Sequence, residues 1–131
     1  MALRWYTTVV DSRDVTALGR WWAETLGWTV AVETETEVLI VPPRAFDRTR
    51  SIPLDEQGPG LAFVSVPDDR VGKNRLHLDL APGPDDDREA VVEALLDRGA
   101  TRADVGQGDD VPWIVLRDPE GNEFCVLTSR G

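Results

Sequence analysis

An internal repeat of about seventy residues limits the possible folds of this chain more than any other feature. In each half, a predicted strand is followed by an amphipathic helix that ends at a glycine, Gly27 in the first half and Gly99 in the second. The two glycines lie 72 residues apart, and further short strands follow each of them. Each half therefore predicts a β-α-β-β-β unit. A duplicated unit of this kind is expected to place equivalent positions of its halves across one cleft.

The first helix is predicted over residues 14–26, where apolar residues recur at helical spacing. Asp11 or Ser12 is predicted to accept hydrogen bonds from the first amides of this helix. Trp21 lies off the apolar stripe, and an exposed tryptophan at such a position predicts a subunit interface. Because dimers are the commonest oligomers, we expect a homodimer.

The second helix is predicted over residues 86–98, and Asp86 followed by Glu89 matches a capping box at its start. The remaining segments are short, apolar and separated by turn residues, which predicts eight strands in all. The first strand is predicted over residues 5–11, and two others begin at residues 28 and 100. The remaining five are predicted over residues 38–41, 61–66, 75–80, 113–116 and 123–127. Residues 44–59 are predicted as a loop over the sheet, a common place for functional contacts.

The composition indicates the setting of the protein and excludes some partners. The 131 residues suit one domain, 1–131, with repeat units at about 1–67 and 73–131. The single cysteine fits a reducing compartment, and no apolar segment is long enough for a membrane helix, so we expect a cytoplasmic protein without a membrane partner. The net charge of −10 disfavours nucleic acid, because phosphates would be repelled, and it permits a cationic ligand.

The strand predicted over residues 75–80 alternates leucine with polar residues, so its two faces differ. The three leucines are predicted to pack on the helices, while Arg75, His77 and Asp79 point to the opposite face. His77 is a candidate general base and Asp79 its partner, so both are candidate catalytic residues. Arg75 is a candidate anchor for a ligand carboxylate or phosphate. A purely structural His77–Asp79 contact remains an open alternative.

The repeat, together with its sequence motifs, resembles the vicinal oxygen chelate superfamily, which includes glyoxalase I, extradiol dioxygenases and bleomycin-resistance proteins. Within it, the chain most resembles actinobacterial glyoxalase-like domains. The resemblance implies an α+β fold, in which the two β-α-β-β-β modules form a curved, eight-stranded mixed sheet around a cleft. The motifs that carry it are ALGRWWAETLGW at residues 17–28, KNRLHLDL at 73–80, GAT at 99–101 and DPEGNEF at 118–124.

The resemblance also implies four metal-ligand positions, one on the first and one on the last strand of each half. Carried onto this chain, they fall on Thr7, Val64, His77 and Cys125. Only His77 matches the expected ligand type, so the resemblance predicts no glyoxalase I metal site and no cofactor. Zinc held by His77 and Cys125, with Asp79 as a third ligand, is the less favoured alternative. Otherwise Cys125 is a small buried apolar residue.

Two functions of different classes remain open. The favoured one is metal-free binding or sequestration of a small organic ligand, cationic or aromatic, in the cleft. Its candidate ligand-binding residues are Trp5, Thr7, Arg75, Trp113 and Cys125. The alternative is an enzyme of the lyase, isomerase or dioxygenase type that uses His77.

Overall fold

The computed structural model describes residues 5–47, 49–53, 56, 59–67, 76–103 and 112–128. The chain divides into two compact units, Met1–Asp69 and Arg70–Gly131. The boundary lies in the segment between the two predicted repeats.

The first unit is a four-stranded mixed sheet with one helix. The strands occur in the order β1-β4-β3-β2; β1 runs parallel to β4, and the other pairs are antiparallel. A short 3₁₀ turn, Pro43–Ala45, follows β3. The elements are β1 (Thr7–Ser12), α1 (Val15–Leu26), β2 (Thr29–Glu33), β3 (Glu37–Val41) and β4 (Gly60–Ser65).

The second unit repeats this arrangement with shorter strands. Its sheet order is β5-β8-β7-β6, again with one parallel pair, β5 and β8. The described residues thus contain the two helices and eight strands that the repeat predicts, which confirms the α+β fold. The strands form two four-stranded sheets rather than one continuous curved sheet. The elements are β5 (Leu78–Leu80), α2 (Arg88–Asp97), β6 (Thr101–Arg102), β7 (Ile114–Arg117) and β8 (Glu123–Val126).

Helix α1 begins and ends where local chemistry can satisfy its free backbone groups. Asp14 caps the start by accepting a 3.1 Å hydrogen bond from the Ala17 amide. The predicted caps, Asp11 and Ser12, are therefore wrong; the Ser12 hydroxyl instead accepts a bond from the Asp14 amide. Gly27 ends the helix with a φ of 67°, a conformation that a side chain disfavours, as predicted.

Trp21 is buried, which corrects the prediction that it is exposed at a subunit interface. Only 8% of the residue is accessible, and its ring lies edge-to-face against Trp22 with centroids 5.1 Å apart. The buried face of α1 is wider than the predicted stripe because Gly19, Trp21 and Ala23 are buried as well. Gly19 allows this close packing, since a Cβ there would lie 2.5 Å from Val38 Cγ1.

Helix α2 is capped one residue later than predicted. The Asp87 carboxylate accepts the cap bond from the Glu89 amide at 3.2 Å, while Asp86 accepts a bond from the Gly83 amide. The predicted capping box starting at Asp86 is therefore wrong. Only Val92 and Leu95 of α2 are buried, so this helix is held by less apolar surface than α1.

The leucine face of the strand predicted at residues 75–80 is only partly confirmed. Leu78 and Leu80 are half-buried in β5, but Leu76 is 84% exposed because the strand begins after it. Arg75 lies outside the described residues. None of the described helices combines the length and the apolar character that a membrane span requires.

Candidate binding pocket and donor cluster

The two faces of the first sheet have different roles. Val38 and Phe63 are fully buried and face α1, as the contacts of a Cβ at Gly19 show. Because successive strand residues alternate, Leu39 and Val41 of β3 must point to the other face. This second face, which we call the open face, is turned away from α1.

A pocket of about 230 Å³ lies on the open face. Its wall is largely apolar, and one aromatic residue with a hydroxyl group borders it. Gly60 contributes only backbone, and a Cβ there would lie 2.9 Å from the Ile40 carbonyl oxygen and 3.3 Å from two lining side chains. The lining residues are Tyr6, Ala31, Leu39, Val41, Ala45, Ile52 and Gly60.

Two of the lining residues, Ala45 and Ile52, come from the predicted loop at residues 44–59. Polar contacts fix the part of the loop between them. The Asp47 carboxylate accepts bonds from the Thr49 amide at 2.8 Å and the Thr49 hydroxyl at 2.6 Å. These bonds, followed by the nearby Arg50 guanidinium, lower the pKa of Asp47. Ala45 and Ile52, which belong to the predicted loop, thus form part of the pocket wall.

The polar face of β5 brings three possible metal ligands together in the second unit. His77 Nε2 lies 3.1 Å from Asp79 Oδ1, and Asp79 pairs with Cys125 across β5 and β8. One ligand atom from each of these residues lies within 4.8 Å of the other two. The two strands therefore place an imidazole, a carboxylate and a thiol in one cluster, which we call the donor cluster.

The strand registers show which residues of the first unit correspond to the donor cluster. Val64 is the predicted counterpart of Cys125, and the residue paired with Val64 in the parallel strands is Asp11. The residue paired with Cys125 in the second unit is Asp79. In this register, Asp11 corresponds to Asp79.

The same register changes the counterpart of His77. Val9 lies two residues before Asp11 on β1, just as His77 lies two residues before the corresponding aspartate. Val9 rather than Thr7 is then the equivalent of His77. If Val64 corresponds to Cys125, the counterpart of His77 lies two residues after Thr7, the position predicted from the sequence.

The metal site that the family resemblance implies does not fit these residues. Its first-unit positions carry no imidazole or thiolate, because the only histidine and the only cysteine of the chain lie in the second unit. Val64 has no donor atom, and Val9 has none either. Instead, the part of the chain that the structure describes brings together three donors within one unit.

The other predicted site residues lie near strand starts. Trp5 is 66% exposed ahead of β1, and Trp113 is 37% exposed ahead of β7. Thr7 pairs with Gly60 and shares its face, so it belongs to the open face. Tyr6 and Ile52 were missed because Tyr6 alternates with Trp5 and Thr7 on the predicted first strand, residues 5–11, and was assigned to its other face, while Ile52 lies in the predicted loop. The sequence did carry a signal for a second apolar surface, because the consecutive apolar residues of β3 place apolar side chains on both faces of the strand.

Comparisons with known proteins agree with this architecture. A family model described as a glyoxalase-like domain matches residues 7–127, so the chain belongs to the glyoxalase-like domain family. This confirms the resemblance to the vicinal oxygen chelate superfamily. None of the curated proteins matches the sequence significantly.

Three solved structures illustrate the range of proteins with this fold. A glyoxalase/bleomycin resistance protein/dioxygenase family enzyme from Burkholderia phytofirmans is 15% identical, with a TM-score of 0.67 over 98% of this chain and 100% of that one. The oxidase ChaP-H2 is 16% identical, with a TM-score of 0.64 over 99% and 96%. The bleomycin-binding protein of Streptomyces verticillus, in complex with copper(II)-bleomycin, is 16% identical, with a TM-score of 0.55 over 99% of each chain. At these identities, the likeness shows the fold alone.

Proposed function

We propose that the protein binds a small organic molecule whose apolar part occupies the pocket on the open face of the first sheet. The observation that carries this proposal is the pocket itself, with Leu39, Val41 and Ile52 in its wall. Apolar walls with a few polar groups are typical of small-molecule sites. The Tyr6 ring offers a surface for an aromatic ligand and a hydroxyl for a hydrogen bond.

The volume of the pocket and the net charge of the protein narrow the class of ligand. The pocket volume of about 230 Å³ is below the roughly 300–1,000 Å³ of sites for drug-sized ligands, which favours a single ring over a large fused system. The net charge of −10 attracts cations to the protein surface. An aromatic amine, with its ring in the pocket and its ammonium in solvent, meets both conditions. The bleomycin-binding neighbour provides a precedent for ligand binding on this fold.

The test uses two matched probes, 2-phenylethylamine and 2-phenylethanol, which share the ring and differ in charge. Isothermal titration should show saturable binding of the amine with a stoichiometry of one, and weaker binding of the alcohol. Ala31→Phe fills the pocket and should weaken amine binding by about tenfold or more, since the ring is then excluded. Ala17→Phe is the control, because Ala17 is an exposed residue of α1.

Two results would reject the proposal. If neither probe binds saturably, the ligand class is wrong. If Ala31→Phe and Ala17→Phe bind the amine equally well, the pocket is not the site.

The 3.1 Å contact between His77 and Asp79 favours a second candidate function, an isomerase or lyase in which His77 removes a proton next to a carbonyl group. Asp79 would orient the imidazole through this contact. Incubation with dihydroxyacetone in D₂O should then give deuterium incorporation that His77→Gln abolishes and Glu35→Gln retains. Equal incorporation by the wild type and His77→Gln would reject this function.

A further inference from the structure

We propose that the donor cluster of His77, Asp79 and Cys125 is a binding site for one divalent metal ion with a preference for sulfur and nitrogen ligands, best matched by Zn²⁺. All three donors lie within the second unit, whereas the residues that line the ligand pocket lie in the first. It differs from the four-ligand site implied by the family resemblance, because it includes Asp79 and needs no residue of the first unit.

The pairing of β5 with β8 makes the site possible. Asp79 and Cys125 are direct partners in the parallel register, so their side chains leave the sheet side by side. His77 lies two residues before Asp79, and their 3.1 Å contact shows that both side chains point the same way. A parallel pair of strands therefore aims three donors at one point.

The distances need only small side-chain adjustments to accept an ion. Zinc bonds of about 2.0–2.3 Å in a tetrahedron place neighbouring donor atoms about 3.3–3.8 Å apart. His77 Nε2 and Asp79 Oδ1 are already 3.1 Å apart, and the whole cluster lies within 4.8 Å. Rotation of the exposed His77 and Asp79 side chains can close the remaining gap without moving the backbone.

The donor types select the metal. A thiolate and an imidazole suit Zn²⁺, whereas Mg²⁺ and Ca²⁺ prefer oxygen ligands and more of them. Cys125 binds as the thiolate, so its proton is released to solvent when the metal enters. Three protein donors leave a fourth tetrahedral position for water or a ligand, as in zinc sites that act on substrates.

The surroundings of the cluster give the ion one open side and one apolar wall. The side chains of His77 and Asp79 are 48% and 52% exposed, so an ion can enter from solvent. Cys125 is buried and packs with Ala103 and Val115. An apolar wall behind a metal ligand limits water access and strengthens the charge interactions there.

The test is titration of the full-length, untagged protein with Co²⁺, which replaces Zn²⁺ and reports its ligands by absorption. We expect one equivalent to produce a cobalt–thiolate charge-transfer band, and Zn²⁺ to displace it while excess Mg²⁺ does not. Cys125→Ala should abolish the band, and Asp79→Asn and His77→Gln should each weaken binding by about tenfold or more. Asp97→Asn removes an exposed aspartate of α2 and should change nothing.

The outcomes separate this site from other possibilities. Weak binding of several ions without a thiolate band would mean adventitious binding to the acidic surface and would overturn the proposal. So would equal cobalt binding by the wild type and Asp79→Asn, an exposed and isosteric change that should preserve the fold. Ala31→Phe changes none of the three donors and should therefore keep the cobalt–thiolate band.

Discussion

The two units share a strand order but use the free face of the sheet for different chemistry. In the first unit, this face carries leucine, valine and alanine and forms an apolar pocket. In the second unit, the edge strand β5 and the residue before it place Asp79 and His77 beside Cys125, whereas the first-unit equivalents of these three, Val9, Asp11 and Val64, are not among the residues that line the pocket. The duplicated fold thus repeats the strand order, but the two candidate sites occupy different parts of their sheets, so each depends on the residues of its own unit.

The helices of the two units also differ in how much they contribute to stability. Helix α1 buries Trp21, Trp22 and four other residues against its sheet, while α2 buries only Val92 and Leu95. Because stability follows buried apolar surface, we expect the first helix to tolerate substitution less well than the second. The following predictions test this difference.

The largest expected effect is the loss of Trp21. Trp21→Ala removes a buried ring that packs on Trp22, so the free energy of unfolding should fall by about 3–5 kcal/mol in urea titrations followed by circular dichroism. Leu96→Ala in α2, where the side chain is half-buried, should lower it by only about 1 kcal/mol. Similar losses for the two variants would contradict the difference between the helices.

A polar contact should give the next largest effect, and it lies in the second unit. Asp118 is 3% exposed, and its carboxylate accepts bonds from the Glu120 and Asn122 amides in the turn before β8. Asp118→Ala should lower the free energy of unfolding by about 2–4 kcal/mol, because these donors lose a charged partner. Asp85→Ala, at an exposed turn, is the control. A loss no larger than that of the control would show that the turn does not hold β8.

Close packing of α1 on its sheet predicts a smaller loss. Gly19→Ala places a Cβ 2.5 Å from Val38 Cγ1 and should lower the free energy of unfolding by about 1–3 kcal/mol. In a double-mutant cycle with Val38→Ala, the two losses should sum to more than the loss in the double variant, because the smaller residue removes the 2.5 Å contact with Cγ1 and leaves only the 2.9 Å contact with Cβ. Additive losses would mean that α1 shifts away from β3 in the Gly19→Ala variant, so that the added Cβ does not contact Val38.

The smallest expected effect concerns an exposed ion pair of the first unit. Arg20 donates two 2.9 Å bonds to Glu33, and these lower the pKa of Glu33 from its ordinary value. The pair therefore stabilises the fold above the unfolded-state pKa, and this contribution is lost as the pH falls through the lower folded-state pKa. Glu33→Gln should slightly lower Tm at pH 7 but not at pH 3, while Glu35→Gln should have no such effect. A Tm difference that persists at pH 3 would exclude the ion pair as its cause.

The sequence predicted the fold well because the fold depends on periodic and local signals. The two glycine stops, the alternation along the strands and the turn at residues 118–122 are each encoded within a few neighbouring residues. The errors at Asp86 and at the start of α1 came from neighbouring aspartates and serines, all of which can cap a helix. Which one caps depends on backbone angles that the sequence does not state.

The site was predicted less completely because it depends on the pairing of distant strands. His77 and Asp79 were identified from alternation on one strand, but their proximity to Cys125 requires the β5–β8 register. The pocket was missed as such because its lining comes from β2, β3 and the 44–59 loop together. Trp21 was predicted to be exposed because a single stripe underestimates the buried face of a helix that lies close to its sheet.

The sequence by itself determined the duplicated topology and the family, because both follow from local patterns repeated along the chain. Only the tertiary structure decided that Asp79 joins His77 and Cys125, and that Leu39, Val41 and Ile52 enclose a pocket. The physical reason is that strand register and loop position bring together residues far apart in the chain, and a shift of one residue would turn each side chain to the other face.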